Sequence, residues 1–269
     1  MGVVNVTTDS FYDGGRYVES ERAIAHALEL VEQGADIIDL GGESTRPGAC
    51  SVSEQDELAR VIPVVKGLAH RVSVPISIDT SKSRVAEVAL DCGASIINDV
   101  SALRQDPAMA SVIARFDAAV VLMHMQGTPQ TMQQSPQYSD VVGEVVCFLE
   151  GRVQMALCAG IAGTNIVIDP GFGFGKLMNH NLDLLDGLSA IAALNRPVLV
   201  GLSRKAFIGN VVERPVEHRE WGTAAAVALA VDRGAHILRV HDVAMMIDVV
   251  KMAAALNPRW SSCRQEHDA

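Results

Sequence analysis

Gly34-Ala35-Asp36-Ile37-Ile38-Asp39-Leu40 is the stretch whose reading decides the fold. An alanine-bearing helical segment runs into it. The glycine suits a left-handed helix C-cap, and a short apolar strand follows. The pattern recurs as Gly93-Ala94-Ser95-Ile96-Ile97-Asn98-Asp99 and as Gly234-Ala235-His236-Ile237-Leu238-Arg239-Val240. Helix alternating with short buried strand implies parallel βαβ units. Repeated around a chain of 269 residues, the units point to one α/β domain, a (β/α)8 TIM barrel.

The other units follow from local signals. Strands are expected over 2–6, 36–40, 75–78, 95–97, 118–122, 166–169 and 198–200, with an eighth carrying Arg239. Ser20 suits the cap of a first helix whose Ile24, Leu28 and Val31 share one face. Ser53-x-x-Asp56 opens the next helix as a capping box, and Pro63 is expected to kink or end it. A loop over 125–138, rich in Gln, Pro and Met, precedes a helix that runs through Cys158. An alanine-rich helix over 222–232 and a last helix capped by Asp242 complete the barrel over 1–258. A polar tail, 259–269, follows.

Composition limits the function. Apolar residues make up 49% of the chain, enough for a sizeable core. The formal net charge of −10 argues against a general nucleic-acid binder. No apolar run reaches the length of a membrane span, and no charged segment leads into a secretory apolar region. The five scattered cysteines show no metal spacing. They suit a reducing cytoplasm and are expected as buried small apolar residues.

The strand ends carry the chemistry. Asn5, Asp39, Asp79, Asn98, His124, Asp169, Ser203 to Lys205, and Arg239 with His241 all fall at C-terminal strand ends, the face where this fold builds active sites. Singly, any of them could be a helix cap; eight together need another reason. Strand six runs into Asp169-Pro170-Gly171-Phe172-Gly173-Phe174-Gly175-Lys176, a glycine loop that lacks the P-loop pattern. Asp79, Asn98 and Asp169 offer acceptors and an amide deep in the barrel. That set suits a flat heterocycle with adjacent N–H and C=O groups. Arg46, Lys205, Arg239 and His241 offer cationic donors nearer the rim, suited to phosphate oxygens. Asn5 and Thr45 are hard oxygen ligands for a Mg²⁺ that already carries phosphate. No serine or cysteine nucleophile has a base in its sequence context. Loss of a phosphate-type leaving group, with no covalent enzyme intermediate, is the chemistry implied.

The residues also carry a resemblance. Met1-Gly2-Val3-Val4-Asn5-Val6-Thr7-Thr8-Asp9-Ser10-Phe11-Tyr12-Asp13-Gly14-Gly15 resembles the first loop of the dihydropteroate synthases, and Gly41-Gly42-Glu43-Ser44-Thr45-Arg46-Pro47-Gly48-Ala49 resembles their second. Ser77-Ile78-Asp79-Thr80, Ile97-Asn98-Asp99-Val100, the segment 169–176, Ser203-Arg204-Lys205 and Arg239-Val240-His241-Asp242 are similar to the remaining family blocks, in order. The resemblance covers nearly the whole chain. It implies condensation of 6-hydroxymethyl-7,8-dihydropterin pyrophosphate with 4-aminobenzoate by an SN1-like route, with sulfonamides as inhibitors. It places Asp79, Asn98, Met125, Asp169, Phe174 and Lys205 around the pterin. Asn5, Thr45, Arg46, Arg239 and His241 fall around the pyrophosphate, with Mg²⁺ on Asn5. Phe11, Thr45, Pro47, Lys205 and Ala206 fall around the aminobenzoate. The catalytic set it implies is Asp79, Asp169, Lys205 and Asp13, the last facing the pterin cation from a closed first loop.

Three departures stand out. The family commonly has Pro at position 8 and Ser at position 12, where this chain has Thr8 and Tyr12, and often Ser where Ala206 stands. The chain also begins on its first strand, so a barrel lacking the family's N-terminal hairpin is expected. The resemblance further implies a homodimer through the C-terminal helices, for which residues 223–230, Met245, Met246 and Met252 are candidates. Two other readings stay open at this point: a barrel transferring a methyl group from methyltetrahydrofolate, and a non-catalytic pterin-binding paralogue.

Overall fold

The glycines opening the three repeated segments take the backbone their positions require: φ is +97° at Gly34, +108° at Gly93 and +103° at Gly234. Each ends a helix and turns the chain into a strand. The structure is a computed structural model, and it describes residues 1–6, 13–44, 48–49 and 51–257, with only the backbone of 13–18. The expected tail, 259–269, lies outside the described residues.

In chain order the elements are β1 (Gly2–Asn5), α1 (Asp13–Glu32), β2 (Ile38–Gly41), α2 (Glu54–Leu68), β3 (Ile76–Asp79), α3 (Ser83–Asp91), β4 (Ile96–Asp99), α4 (Met109–Arg115) and β5 (Ala119–Met123). Then come α5 (Val141–Cys158), β6 (Ile166–Asp169), α6 (Met178–Asp186), α7 (Leu188–Ala192), β7 (Leu199–Val200), α8 (Ala206–Val212), α9 (Glu220–Asp232), β8 (Ile237–Leu238) and α10 (Val243–Leu256). Strands β1 to β6 pair in sequence order, and β7 pairs with β8. Every pairing is parallel. Single bridges, Ile168 to Val198 and Gly2 to Val240, close the circle. The eight-stranded barrel is thus an arc of six strands and an arc of two, joined at two seams.

Alternation along each strand sorts the side chains. Ile38 and Leu40, Ile76 and Ile78, and Ile166 and Ile168 are buried in the main core, between sheet and helices. Their neighbours Ile37, Ile96, Val167 and Ile237 meet Met1, Val121 and Leu199 in a separate cluster. Residues from so many strands can touch only inside the barrel, and this layer is its floor. Polar side chains fill the interior above it. Among the described residues no helix is long and apolar enough to cross a membrane.

Several local expectations need correction. Helix α1 starts at Asp13, so Ser20 sits inside it, buried. A serine in a helix interior costs under about 0.7 kcal/mol, too little to set a boundary against packing. Pro63 neither ends nor begins a helix; α2 runs through it to Leu68. The proline is on the exposed side of α2, where a carbonyl left without its N–H can face solvent. Asp242 occupies the N-cap of α10 without capping it, because its carboxylate is paired with Arg204. Among the described cysteines, Cys92 is half-buried and Cys147 and Cys158 are exposed, so the expected burial does not hold. The Ser53 cap does form, accepting the Asp56 N–H at 3.1 Å.

One glycine ties the fold to the site. Gly171 follows β6 at φ +70°, and a Cβ there would stand 1.9 Å from the carbonyl oxygen of His124. The loop can lie against the end of β5 only without a side chain. Gly171→Ala is expected to destabilise the protein by at least about 2–4 kcal/mol, from strain plus the clash. Urea unfolding measures this, and an unchanged midpoint would show that the loop has room to shift.

Candidate active site

The two arcs of the barrel carry opposite charge. Asn5, Asp79 and Asp169 end strands of the six-stranded arc and Asn98 lies one residue short of an end, while Ser203, Lys205, Arg239 and His241 follow β7 and β8. Asp39, expected at a strand end as well, is the second residue of β2 and sits one interior layer lower, because β2 runs on to Gly41 beside Asp79. Arg239 joins the two arcs. Its Nε donates to Asp39 Oδ2 at 2.7 Å and its Nη2 to Asp79 Oδ2 at 2.9 Å. Arg239 therefore reaches into the barrel instead of standing at the rim as the sequence suggested. Two buried carboxylates attract it more strongly than solvent does. Burial alone would depress the guanidinium's pKa, but Asp39 and Asp79 outweigh it and raise the value.

The carboxylates respond to the same surroundings. Burial pushes Asp79 up to about 7, although Arg239 opposes the shift. Asp169 rises to about 6, again by burial, opposed by the Gly171 N–H and by Lys205. That N–H donates to Asp169 Oδ1 at 2.7 Å. Lys205 is lowered to about 8 by burial and by Arg239. Its Nζ lies 4.4 Å from the centre of the Phe174 ring, so carboxylates, amide, cation and aromatic face surround one slot. Acceptors on one side of that slot and a cation over a ring on the other suit a flat, polar heterocycle.

The loop after β6 is fastened from beneath. Lys176, 3% exposed, places Nζ 2.9 Å from both the Gly171 carbonyl and His124 Nδ1, and 3.1 Å from the Phe174 carbonyl. Burial lowers Lys176 to about 7. It also lowers His124 to about 3, with Lys176 next in effect. His124 packs edge-on against Phe148 and does not face the slot. Asn181 Oδ1 accepts the Gly173 N–H at 2.7 Å.

The stem of the loop after β2 is clamped as well. Arg60 Nη1 donates to the Gly42 carbonyl at 2.8 Å. Lys82 bridges the carboxylates of Glu43 and Glu57. Glu57 is 1% exposed, and its Oε1 has no hydrogen-bond partner among the described residues. The sequence reading did not mark Lys82 or Glu57, and it quoted Lys176 only within the glycine loop, with no role. A signal existed for Glu57: it falls in the apolar stripe of α2 with Val61, Val64 and Leu68. A charge in such a stripe needs a buried partner.

A cleft of about 850 Å3 opens over this ring, lined by Asn5, Phe174, Lys205, Ala206, Arg239 and His241 among others. At its base a narrow slot lies between Asp79, Asn98, Asp169, Phe174, Lys205 and Arg239. The structure thus brings together Asp79, Asn98, Asp169, Phe174, Lys205 and Arg239. Met125 packs with Val100, Met123 and Met132 beside Phe174 and lines an adjoining cavity instead. His241 Nδ1 lies 3.0 Å from Ser203 Oγ. Ala206 is the first residue of α8. Thr8, Phe11, Tyr12, Thr45, Arg46 and Pro47 lie outside the described residues. Asp13 is the first residue of α1 and is described by its backbone only.

The raised pKa of Asp169 has a consequence for stability. The folded state holds this proton more tightly than the unfolded chain, where the value is 3.8. The resulting contribution is fully present below that value and is lost as pH rises through about 6. Asp169→Asn removes the ionisable group. At pH 8 the variant is expected to be more stable than the parent by about 1–3 kcal/mol, and near pH 4 about equal. Urea unfolding at both pH values is the check; the same difference at both would show that ionisation is not the cause.

Comparison with known proteins agrees with this geometry. The family model described as "Pterin binding enzyme" matches residues 1–241. A dihydropteroate synthase of Haemophilus influenzae is 46% identical over 252 residues, covering 94% of this chain and 91% of the relative. A crystal structure of the Yersinia pestis dihydropteroate synthase with a sulfonamide drug complex superposes with a TM-score of 0.89 at 43% identity, covering 94% of this chain and 92% of that one. The Xanthomonas albilineans dihydropteroate synthase with 4-aminobenzoic acid gives 0.87 at 47% identity, covering 98% and 92%. A chain that shares this barrel and nearly half its sequence with those enzymes belongs to the pterin binding enzyme family, among the dihydropteroate synthases.

Proposed function

We propose that this protein joins 6-hydroxymethyl-7,8-dihydropterin pyrophosphate to 4-aminobenzoate, giving 7,8-dihydropteroate and pyrophosphate. The observation that carries the reading is the slot at the base of the cleft, with Asp79, Asn98 and Asp169 facing Lys205 and Arg239. In the proposed reaction the pterin ring donates N–H groups to the carboxylates, and Phe174 and Lys205 flank it. The methylene C–O bond breaks and its electron pair leaves with pyrophosphate. Positive charge spreads over the pterin, where Asp79 and Asp169 stabilise it. Arg239 and His241 receive the anion, together with Arg46 and Thr45 by resemblance. The lone pair of the aniline nitrogen then forms the new C–N bond, and the surplus proton passes to solvent. Fixed charge supplies the catalysis, so a weakly basic amine needs no strong general base.

Magnesium fits this site only along with substrate. Among the described residues no group of three or more His, Cys, Asp or Glu could hold a metal ion. Asn5 offers one amide oxygen at the cleft, and pyrophosphate oxygens would supply most of the remaining ligands. When bound, the ion would neutralise charge on the leaving group. A sulfonamide is expected to compete with aminobenzoate, near Lys205 and the start of α8. A cytoplasmic location goes with the reading and with the unpaired cysteines.

A homodimer is also proposed. Leu229 on α9 and Met252 and Leu256 on α10 are exposed apolar side chains, and such a patch suits a partner. Met246, expected on that face, is instead buried against the barrel. A monomeric mass in solution at micromolar protein would reject the dimer.

Turnover of the two substrates with Mg²⁺ tests the activity and separates it from the open alternatives, since neither a methyl transferase nor a silent paralogue would release dihydropteroate. Asp169→Asn is expected to fold and to lose about 2–4 kcal/mol of transition-state stabilisation, roughly 30- to 1000-fold in kcat/KM. An unchanged kcat/KM would remove Asp169 from the site.

A further inference from the structure

One buried carboxylate in the ring has no part in the reaction proposed above. Asp39 is 0% exposed. Its Oδ1 accepts the Ser77 hydroxyl at 2.6 Å. Its Oδ2 accepts both the Asn98 amide at 3.2 Å and Arg239 Nε at 2.7 Å. Register explains the arrangement. Asp39 pairs laterally with Ser77, while Asp79 and Asn98 pair two residues further up their strands, one interior layer above. The carboxylate therefore sits beneath the residues that face the slot and bonds to two of them, Asn98 and Arg239.

Stability alone is a poor reason for it. Buried ion pairs often add nothing over a well-packed apolar residue of similar size, because desolvation offsets the attraction. What Asp39 does provide is orientation. An arginine presents its N–H donors in one rigid plane. Nε on Asp39 and Nη2 on Asp79 fix that plane, so the opposite edge of the guanidinium faces away from both carboxylates, towards the cleft that Arg239 lines. The Asn98 amide is held as well, since one of its two N–H groups donates to Asp39. Asp39 also shares the arginine's charge. Without it, Arg239 would lean on Asp79 alone and compete with a pterin for that carboxylate.

We infer that Asp39 is a positioning residue for the proposed condensation, setting the Asn98 amide for the pterin and the Arg239 guanidinium for the pyrophosphate. The inference rests on the functional reading above. It is tested with Asp39→Asn, which keeps the volume and removes the charge. Calorimetry reads pyrophosphate and 6-hydroxymethylpterin separately, alongside thermal melting and the KM for 4-aminobenzoate. Both dissociation constants are expected to rise at least about tenfold, with melting still cooperative. The aminobenzoate KM at saturating pterin substrate should move less than about threefold, since other residues build that site. A folded variant with both constants unchanged overturns the inference, and so does a uniform loss that includes aminobenzoate. Should Asp39→Asn fail to fold, Ser77→Ala decides. It frees one carboxylate oxygen and should raise the pyrophosphate constant by about threefold or more; no change there overturns the inference. Absence of turnover in the parent would instead sink the functional reading itself.

Discussion

Two ion pairs on one arginine hold this site together. Arg239 follows the short arc of the barrel and bonds to carboxylates on the long arc. Without it Asp39 and Asp79 would face each other across a water-poor interior, and like charges at close range repel strongly there. With it, each carboxylate has a cationic partner, and the charge of Arg239 opposes the upward push that burial gives Asp79. The carboxylates and the guanidinium in the barrel interior are therefore held as a set, each charge compensated by a neighbour.

Much of this was legible in the residues. The repeated glycine–strand segments carry the barrel because a left-handed cap and a short apolar run have few other uses in series. Asp79, Asn98, Asp169 and Lys205 were legible because strand ends in this fold converge on one mouth. Strand limits shifted by a residue or two, as hydrogen bonding at strand ends depends on the neighbouring strand and not on the strand's own sequence. The direction of Arg239 was not legible. Its position follows from β8, but its side chain is long, and which way it turns depends on carboxylates 160 and 200 residues away. Ser20 misled because local propensity is worth less than the packing of a whole helix.

Lysines set the loops. Lys176 collects two loop carbonyls and an imidazole, so a glycine-rich segment that would otherwise sample many conformations is held in one. Lys82 and Arg60 do the same for the first residues after β2. A sequence shows such lysines only as isolated cations, since their partners are carbonyls or lie on other elements.

The two seams give the barrel an order of assembly. Six strands, and with them all the strand-end carboxylates, leave the ribosome before β7, β8 and their cations. Until the last segment docks, the nascent arc exposes Asp39 and Asp79 without their guanidinium, together with unpaired edges at β1 and β6. Exposed edges of that kind are where partly made chains join one another. Docking of the short arc supplies the missing backbone partners and the missing charge in one event. The moment at which the nascent chain loses its stickiest edges is thus also the moment at which its site comes into being.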